Sequence, residues 1–235
     1  MNESLDKSAP TVQAMFSEIA GTYDLLNHVL SANQDKLWRR RAVSRLRPKR
    51  GELVLDLCCG TGDSTLELLS RTPGCRVIGA DFAFPMLERA RHKKSPELLN
   101  QLVAADALQL PFADASFDCV FVAFGARNFE DTRAGIGEIW RVLKPGGRLL
   151  VLEFMRPTSP FVQRAFGVFN LVLAPLGRAV SHHNSAYNYL PQSIGGFYTR
   201  REFQTLLREA RFRNMRSFNH ACGIATSFLA LKSVS

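Results

Sequence analysis

The chain runs to 235 residues, 46 % apolar and 22 % charged, the make-up of a folded protein with room for one α/β domain and a cap. Five cysteines without a C-x-x-C pair argue against a disulfide framework and a tetrahedral metal site, and MNESLDKSAP lacks the basic and apolar regions of a signal peptide, so a reducing cytoplasm is expected. A formal charge of +9 asks for an anionic surface as a partner, with nucleic acid and anionic membrane both open.

Taken in chain order, the first section, residues 11–47, reads as mostly helical. Trp38, Ala42 and Leu46 recur there at helical spacing, and Arg39, Arg40, Arg41, Arg45 and Arg47 fall largely off that stripe. This predicts an amphipathic helix whose basic face is either simply solvated or drawn to lipid phosphate. Strand LVLDL (53–57) follows, then a helix opening at Asp63, Ser64 and Thr65, residues suited to cap it. Strand 76–81 leads to helix 85–93, with Pro85 in its first turn. Strands 101–106 and 117–124 come next, then a helix over 132–143 that Lys-Pro-Gly-Gly ends before strand 148–154. Strands alternating with helices predict a parallel sheet covered on both faces. After helix 199–212, two strand-like runs lie so close together that they must pair as an antiparallel hairpin.

In such a sheet, ligands sit beyond the carboxyl ends of the strands. Asp56 closes the first strand, and Gly60-Thr61-Gly62 forms the turn after it, where glycines let a ligand approach the backbone. Cys58 and Cys59 read as small buried fillers beside the ligand. A nicotinamide dinucleotide would use a similar loop, but Thr65 stands where its third glycine belongs. Asp81, 21 positions after Gly60, closes the second strand, where a carboxylate can accept both hydroxyls of a ribose. Asp106 and Ala107, at the end of the third, are placed for an adenine amino group. Carboxylates at these points, without a basic residue for a pyrophosphate, favour a positively charged nucleoside: S-adenosylmethionine (SAM).

Residues 50–155 thus resemble a class I (Rossmann-like) SAM-dependent methyltransferase. That resemblance implies an α/β fold with a seven-stranded, mostly parallel sheet, helices on both faces and an antiparallel C-terminal strand. Three more stretches resemble the ubiquinone/menaquinone-biosynthesis C-methyltransferase family: YDLLNHVLSANQDKLWRR (23–40), RVLKPGGRLLVLEF (141–154) and AFGARNFED (123–131). AYNYLPQSIGGF (186–197) is similar to a further family stretch. The resemblance implies one methyltransferase domain over 1–235, with a lid or substrate insertion at about 156–198.

It further implies methylation of a ring carbon on a lipophilic polyprenyl quinol, with SAM as donor and no metal. Asp35 and the short N-terminus look more like the menaquinone-only members, pointing to demethylmenaquinol; a methoxy-polyprenyl-benzoquinol is the alternative, and RNA a third. Arg127 is expected chiefly to stabilise the quinolate, since a guanidinium is a very poor base, and also to orient a water that takes the proton, and Asn128 to hydrogen-bond a quinol oxygen. His28, His182, His183, Tyr187 and Tyr189 are alternative proton handlers. The apolar run 165–176 is too short to span a bilayer and reads as a lid or interfacial segment admitting the prenyl chain, with the basic helix drawn to anionic lipid. No nucleic-acid partner is expected, since neither an RNA-binding module nor an aromatic-interleaved basic ribbon is present, and a homodimer is left open.

Overall fold

Period-two alternation sorts the apolar side chains of β1 (Leu53–Leu57) onto two faces, and the rest of the fold follows from covering both. The computed structural model describes residues 6–21, 23–24, 28, 31, 33–93, 101–160, 162–164, 167 and 184–234. Leu55 and Leu57 join Val120, Val122, Leu149 and Val151 in one core, whereas Val54 joins Phe121, Leu150 and Leu152 in the other.

The further strands are β2 (Arg76–Asp81), β3 (Leu102–Ala104), β4 (Phe117–Ala123), β5 (Leu143–Phe154), β6 (Phe212–His220) and β7 (Ala225–Lys232). They form one seven-stranded sheet in the order β3-β2-β1-β4-β5-β7-β6. The first five lie parallel, and β7 runs antiparallel to both β5 and β6. The C-terminal hairpin therefore forms as predicted. The order reverses between β1 and β4, which opens a crevice beyond their carboxyl ends.

Around the sheet lie α1 (Ala9–Ile19), α2 (Gln34–Leu46), α3 (Asp63–Arg71), α4 (Phe84–His92), α5 (Thr132–Val142), α6 (Asn184–Gly195) and α7 (Arg200–Glu209). Trp38, Ala42, Val43 and Leu46 of α2 pack with Leu68 of α3 on one face; Ile136 and Ile139 of α5 with Phe203, Leu206 and Leu207 of α7 cover the other. Each fully buried Leu or Phe contributes roughly 1.5–3 kcal/mol by leaving water. Asp131 caps α5 by accepting from the N–H groups of Arg133 and Ala134, and Thr199 with Glu202 forms a reciprocal cap on α7.

Three local expectations are corrected. First, α3 takes no side-chain cap from Asp63, Ser64 or Thr65. Gly62 precedes it in a left-handed conformation (φ 85°), while Asp63 pairs with Lys93 and Thr65 turns to Asp56. Second, Lys-Pro-Gly-Gly does not separate helix from strand: β5 begins at Leu143, opposite Phe117, and the register slips before Arg148 meets Cys119. Gly146, with φ of 75°, absorbs that irregularity in the chain. Third, Arg39 is buried rather than on a solvated face. Its i−4 neighbour Asp35 supplies a buried carboxylate, and its guanidinium lies 5.4 Å from the Phe124 ring. Arg40, Arg41 and Arg47 are exposed as expected. The 165–176 run, like His182 and His183, lies outside the described residues except for Gly167, which is helical.

Candidate active site

A cleft opens at the reversal point, and the ends of β1, β2 and β4 build its floor. Gly60, Asp81, Asp106, Ala107 and Asn128 line it, whereas Thr61, Gly62 and Arg127 are not among its lining residues. Gly60 (φ 55°) and Gly62 (φ 85°) both take the left-handed backbone that an L side chain resists, so the loop needs glycine for its turn as well as for ligand approach. Asp81 steadies the same loop: Oδ2 accepts the Gly60 N–H at 2.8 Å and Oδ1 the Ala83 N–H at 2.9 Å. Burial nevertheless raises its carboxyl above the usual value, with those backbone donors opposing. Asp106 Oδ1 accepts the Leu108 N–H at 2.8 Å, which fixes the turn carrying Ala107 into the cleft.

Thr61 reaches the site indirectly. Its hydroxyl donates to Asp24, and Lys93 Nζ lies 3.0 Å from the same oxygen and 2.7 Å from Asp24 Oδ2. Lys93 also pairs with Asp63, so a polar strap ties the N-terminal segment to the glycine loop. His28, Asp35 and Asp63 place three ligand-type atoms within 4.8 Å of one another. Arg39 sits among them, bonded to Asp35 and 4.0 Å from Asp63, so the carboxylates already face a cation. The Ser31 hydroxyl and Arg39 hold the Asp35 carboxyl below its usual range although burial works against them.

Asp56 does not face the ligand space. Alternation turns it towards α3, where it is fully buried and accepts the Thr65 hydroxyl at 2.6 Å. Desolvation pushes its pKa up to about 7 despite that bond and the nearby Arg39. An acid protonated in the folded state but ionised when unfolded costs stability as pH rises from 3.8 to about 7. Wild-type protein is therefore expected to lose about 2 kcal/mol relative to Asp56→Asn between pH 5 and pH 7, at up to about 1.4 kcal/mol per unit. Urea denaturation of both proteins at the two pH values measures this, and parallel curves would refute it.

Arg127 and Asn128 follow β4 in a short 3₁₀ turn (Ala126–Asn128). Arg127 is buried; its Nη1 donates to the Phe124 carbonyl and, at 2.9 Å, to Glu153 Oε1, while its N–H meets Glu153 Oε2 at 3.1 Å. Burial opposes the charge, yet Glu153, Tyr23 and Tyr189 together raise the guanidinium pKa above its ordinary value. Asn128 does line the cleft, and the Tyr189 hydroxyl donates to its Oδ1 at 3.1 Å. Burial raises the Tyr189 phenol, so it keeps its proton. Glu153 is a functional residue that the sequence signals only as a lone glutamate in the apolar run 148–154, and the structure buries it fully. Lys7, Val12 and Phe16, likewise not expected from the sequence, close the cleft from the N-terminal side.

Cys58 and Cys59 are free thiols, and burial raises both well above the usual thiol range, which fits filling rather than chemistry. Among the described residues no helix is long and apolar enough to cross a membrane.

Comparison with known proteins agrees with this geometry. A demethylmenaquinone methyltransferase of Thermus thermophilus is 48% identical over 200 residues, covering 84% of this chain and 91% of the relative. Another from Clavibacter sepedonicus is 39% identical over 233 residues, 99% of this chain and 94% of the relative. The solved structure of a SAM-dependent methyltransferase from Aquifex aeolicus superposes with a TM-score of 0.59 over 82% of this chain and 88% of its own; at 17% identity that likeness concerns the fold alone. A sequence model of the ubiE/COQ5 methyltransferase family matches residues 2–232, and the chain belongs to that family.

Proposed function

We propose that this protein transfers a methyl group from SAM to a ring carbon of a polyprenyl quinol, with demethylmenaquinol as the acceptor. The observation that carries the reading is near full-length similarity to relatives called demethylmenaquinone methyltransferase. The cleft suits the donor: Gly60 brings backbone close, Asp81 offers a carboxylate to a ribose diol, and Asp106 with Ala107 offers an edge to adenine. When bound, SAM supplies an electrophilic methyl. Val12, Phe16, Met86 and Phe129 give the rest of the cleft an apolar wall for the ring and the start of its prenyl chain.

Asn128, held through Oδ1 by Tyr189, keeps its amide N–H groups to donate to a quinol oxygen. Arg127, one residue earlier, supports a developing quinolate by its fixed positive charge in a water-poor site. Holding both reactants aligned supplies roughly 7–11 kcal/mol of the barrier in favourable cases, so positioning outweighs acid–base help.

The acceptor lives in a membrane, and the surface offers a means of reaching it. Arg40, Arg41, Arg45 and Arg71 line a shallow groove with Ser44, and Arg45 stacks on Phe218 at 4.1 Å. Such a face favours anionic headgroups by about 1 kcal/mol per cation near the surface. The unpaired thiols Cys58, Cys59, Cys75 and Cys119 suit a reducing compartment, so the protein works peripherally at the cytoplasmic face.

One assay tests this reading. Reduced demethylmenaquinol and, separately, the methoxy-polyprenyl-benzoquinol are presented in anionic or neutral vesicles with SAM, and products are weighed by mass spectrometry. Methylation of the naphthoquinol, faster in anionic vesicles at low salt, is expected. Methylation of the benzoquinol alone moves the substrate to the alternative. Inactivity on both with the donor still bound overturns the quinol reading and makes RNA the next substrate.

A further inference from the structure

Quinol methylation needs a proton acceptor, and the residues considered so far do not provide a good one. Arg127 is too strongly basic to give up its proton, Tyr189 holds its own, and Asn128 has no basic atom. Glu153 is committed to Arg127, and a carboxylate is in any case a weak base toward a phenol titrating near pH 10. No histidine lines the cleft among the described residues.

Lys7 does line it, beside Val12, Phe16, Tyr23 and Asn128, with its side chain partly buried. Its Nζ stands 5.9 Å from the centre of the Phe197 ring and makes no salt bridge among the described residues. The neighbouring Asp6 is turned elsewhere, accepting the Ser8 N–H at 2.8 Å and the Thr11 hydroxyl at 2.7 Å. The groups that act on Lys7 are Arg127, which repels a second cation, and Glu153, already paired with Arg127; Tyr23, Asn128 and Glu130 also line the cleft, and Tyr189 bonds to Asn128.

We infer that Lys7 is the general base of the reaction: its Nζ takes the hydroxyl proton of the acceptor and then stands as an ammonium beside the phenolate. This rests on the quinol reading above. The O–H bond breaks, its electron pair stays on oxygen, and an N–H bond forms at Nζ. The adjacent ring carbon bonds to the donor methyl as the S–CH₃ bond breaks with its pair left on sulfur. That ring carbon then loses its hydrogen to solvent as a proton, the ammonium returns a proton to the oxygen, and the net release is one proton. Burial, and then the Arg127 charge, lower the Lys7 pKa below the ordinary 10.5, with Glu153 opposing, which raises the fraction of free amine.

The test measures kcat and KM against pH for the wild type, Lys7→Met, Lys7→Arg and Lys7→Ala on reduced demethylmenaquinol, with thermal melts as a folding control. Wild-type kcat/KM is expected to rise with pH along a limb lying below the ordinary lysine value. Lys7→Met and Lys7→Arg should each lose about 100-fold or more in kcat, together with that limb, at little change in KM. Added methylamine should restore part of the Lys7→Ala rate. Near wild-type turnover in Lys7→Arg would reduce Lys7 to a fixed charge and overturn the inference, as would an unchanged Lys7→Met. A wild type inactive on every quinol, with donor affinity intact, overturns the underlying reading and this inference with it.

Discussion

Arg127→Met is expected to lower the unfolding free energy by about 3–5 kcal/mol and turnover by at least about 100-fold, while SAM affinity changes little. The stability loss comes from Glu153. Its carboxylate is fully buried at the end of β5 and holds the Arg127 guanidinium, the Arg127 N–H and the Phe154 N–H. Removing the cation strands a negative charge where water does not reach. Arg127→Met paired with Glu153→Gln should therefore recover part of the stability, because it removes the stranded charge, although the Arg127 and Phe154 N–H groups meet different oxygens of Glu153 and an amide leaves an acceptor for one of them. It should not recover turnover, because the positive charge behind Asn128 stays lost. Urea denaturation, donor titration and the methylation assay separate these effects. If the double variant regains both stability and turnover, Arg127 acts only as a buried strut and its electrostatic role is wrong.

That double character of Arg127 illustrates what the chain made legible. The strands Leu53–Leu57 and Arg76–Asp81 and the hairpin were readable because each is decided by alternation within a few residues. Gly60 and Gly62 were readable because a turn between strand and helix restricts residue type locally. What escaped depends on partners distant in sequence. Arg39 looked like one more surface arginine until Asp35, itself buried, was seen to hold it inside. Asp56 looked like a ligand until the pleat turned it towards Thr65. Glu153 and Arg127 are 26 positions apart, and only the pairing of β4 with β5 brings them together. Lys7 is further removed, in a segment with no periodicity to read, and reaches the cleft only because α1 packs beside α4 and α6.

Gly125→Ala is expected to cost more than 3 kcal/mol and to weaken SAM binding at least tenfold, larger than ordinary overpacking because the obstacle cannot rotate away. A Cβ on Gly125 would stand 2.6 Å from Cys58 Sγ and closer still to Cys58 Cβ. Sulfur can swing aside by a change of rotamer; a Cβ moves only with its backbone. Both residues line the cleft, Cys58 just past β1 and Gly125 just past β4, so relief by backbone movement would part the two strand ends that form the floor. Cys58 also carries a positive φ of 60°, a conformation that costs a non-glycine residue about 1–2 kcal/mol. Cys58→Gly should relieve that strain and clear the space, so Gly125→Ala with Cys58→Gly should bind SAM far better than Gly125→Ala alone. Cys58→Ala keeps its Cβ in place and should rescue nothing. Thermal melts with and without SAM on the wild type, Gly125→Ala, the two Cys58 single variants and the two double variants read the coupling directly. A Gly125→Ala protein as stable as the wild type, or a rescue by Cys58→Ala equal to that by Cys58→Gly, would show that the loops give way and that this contact does not set the shape of the site.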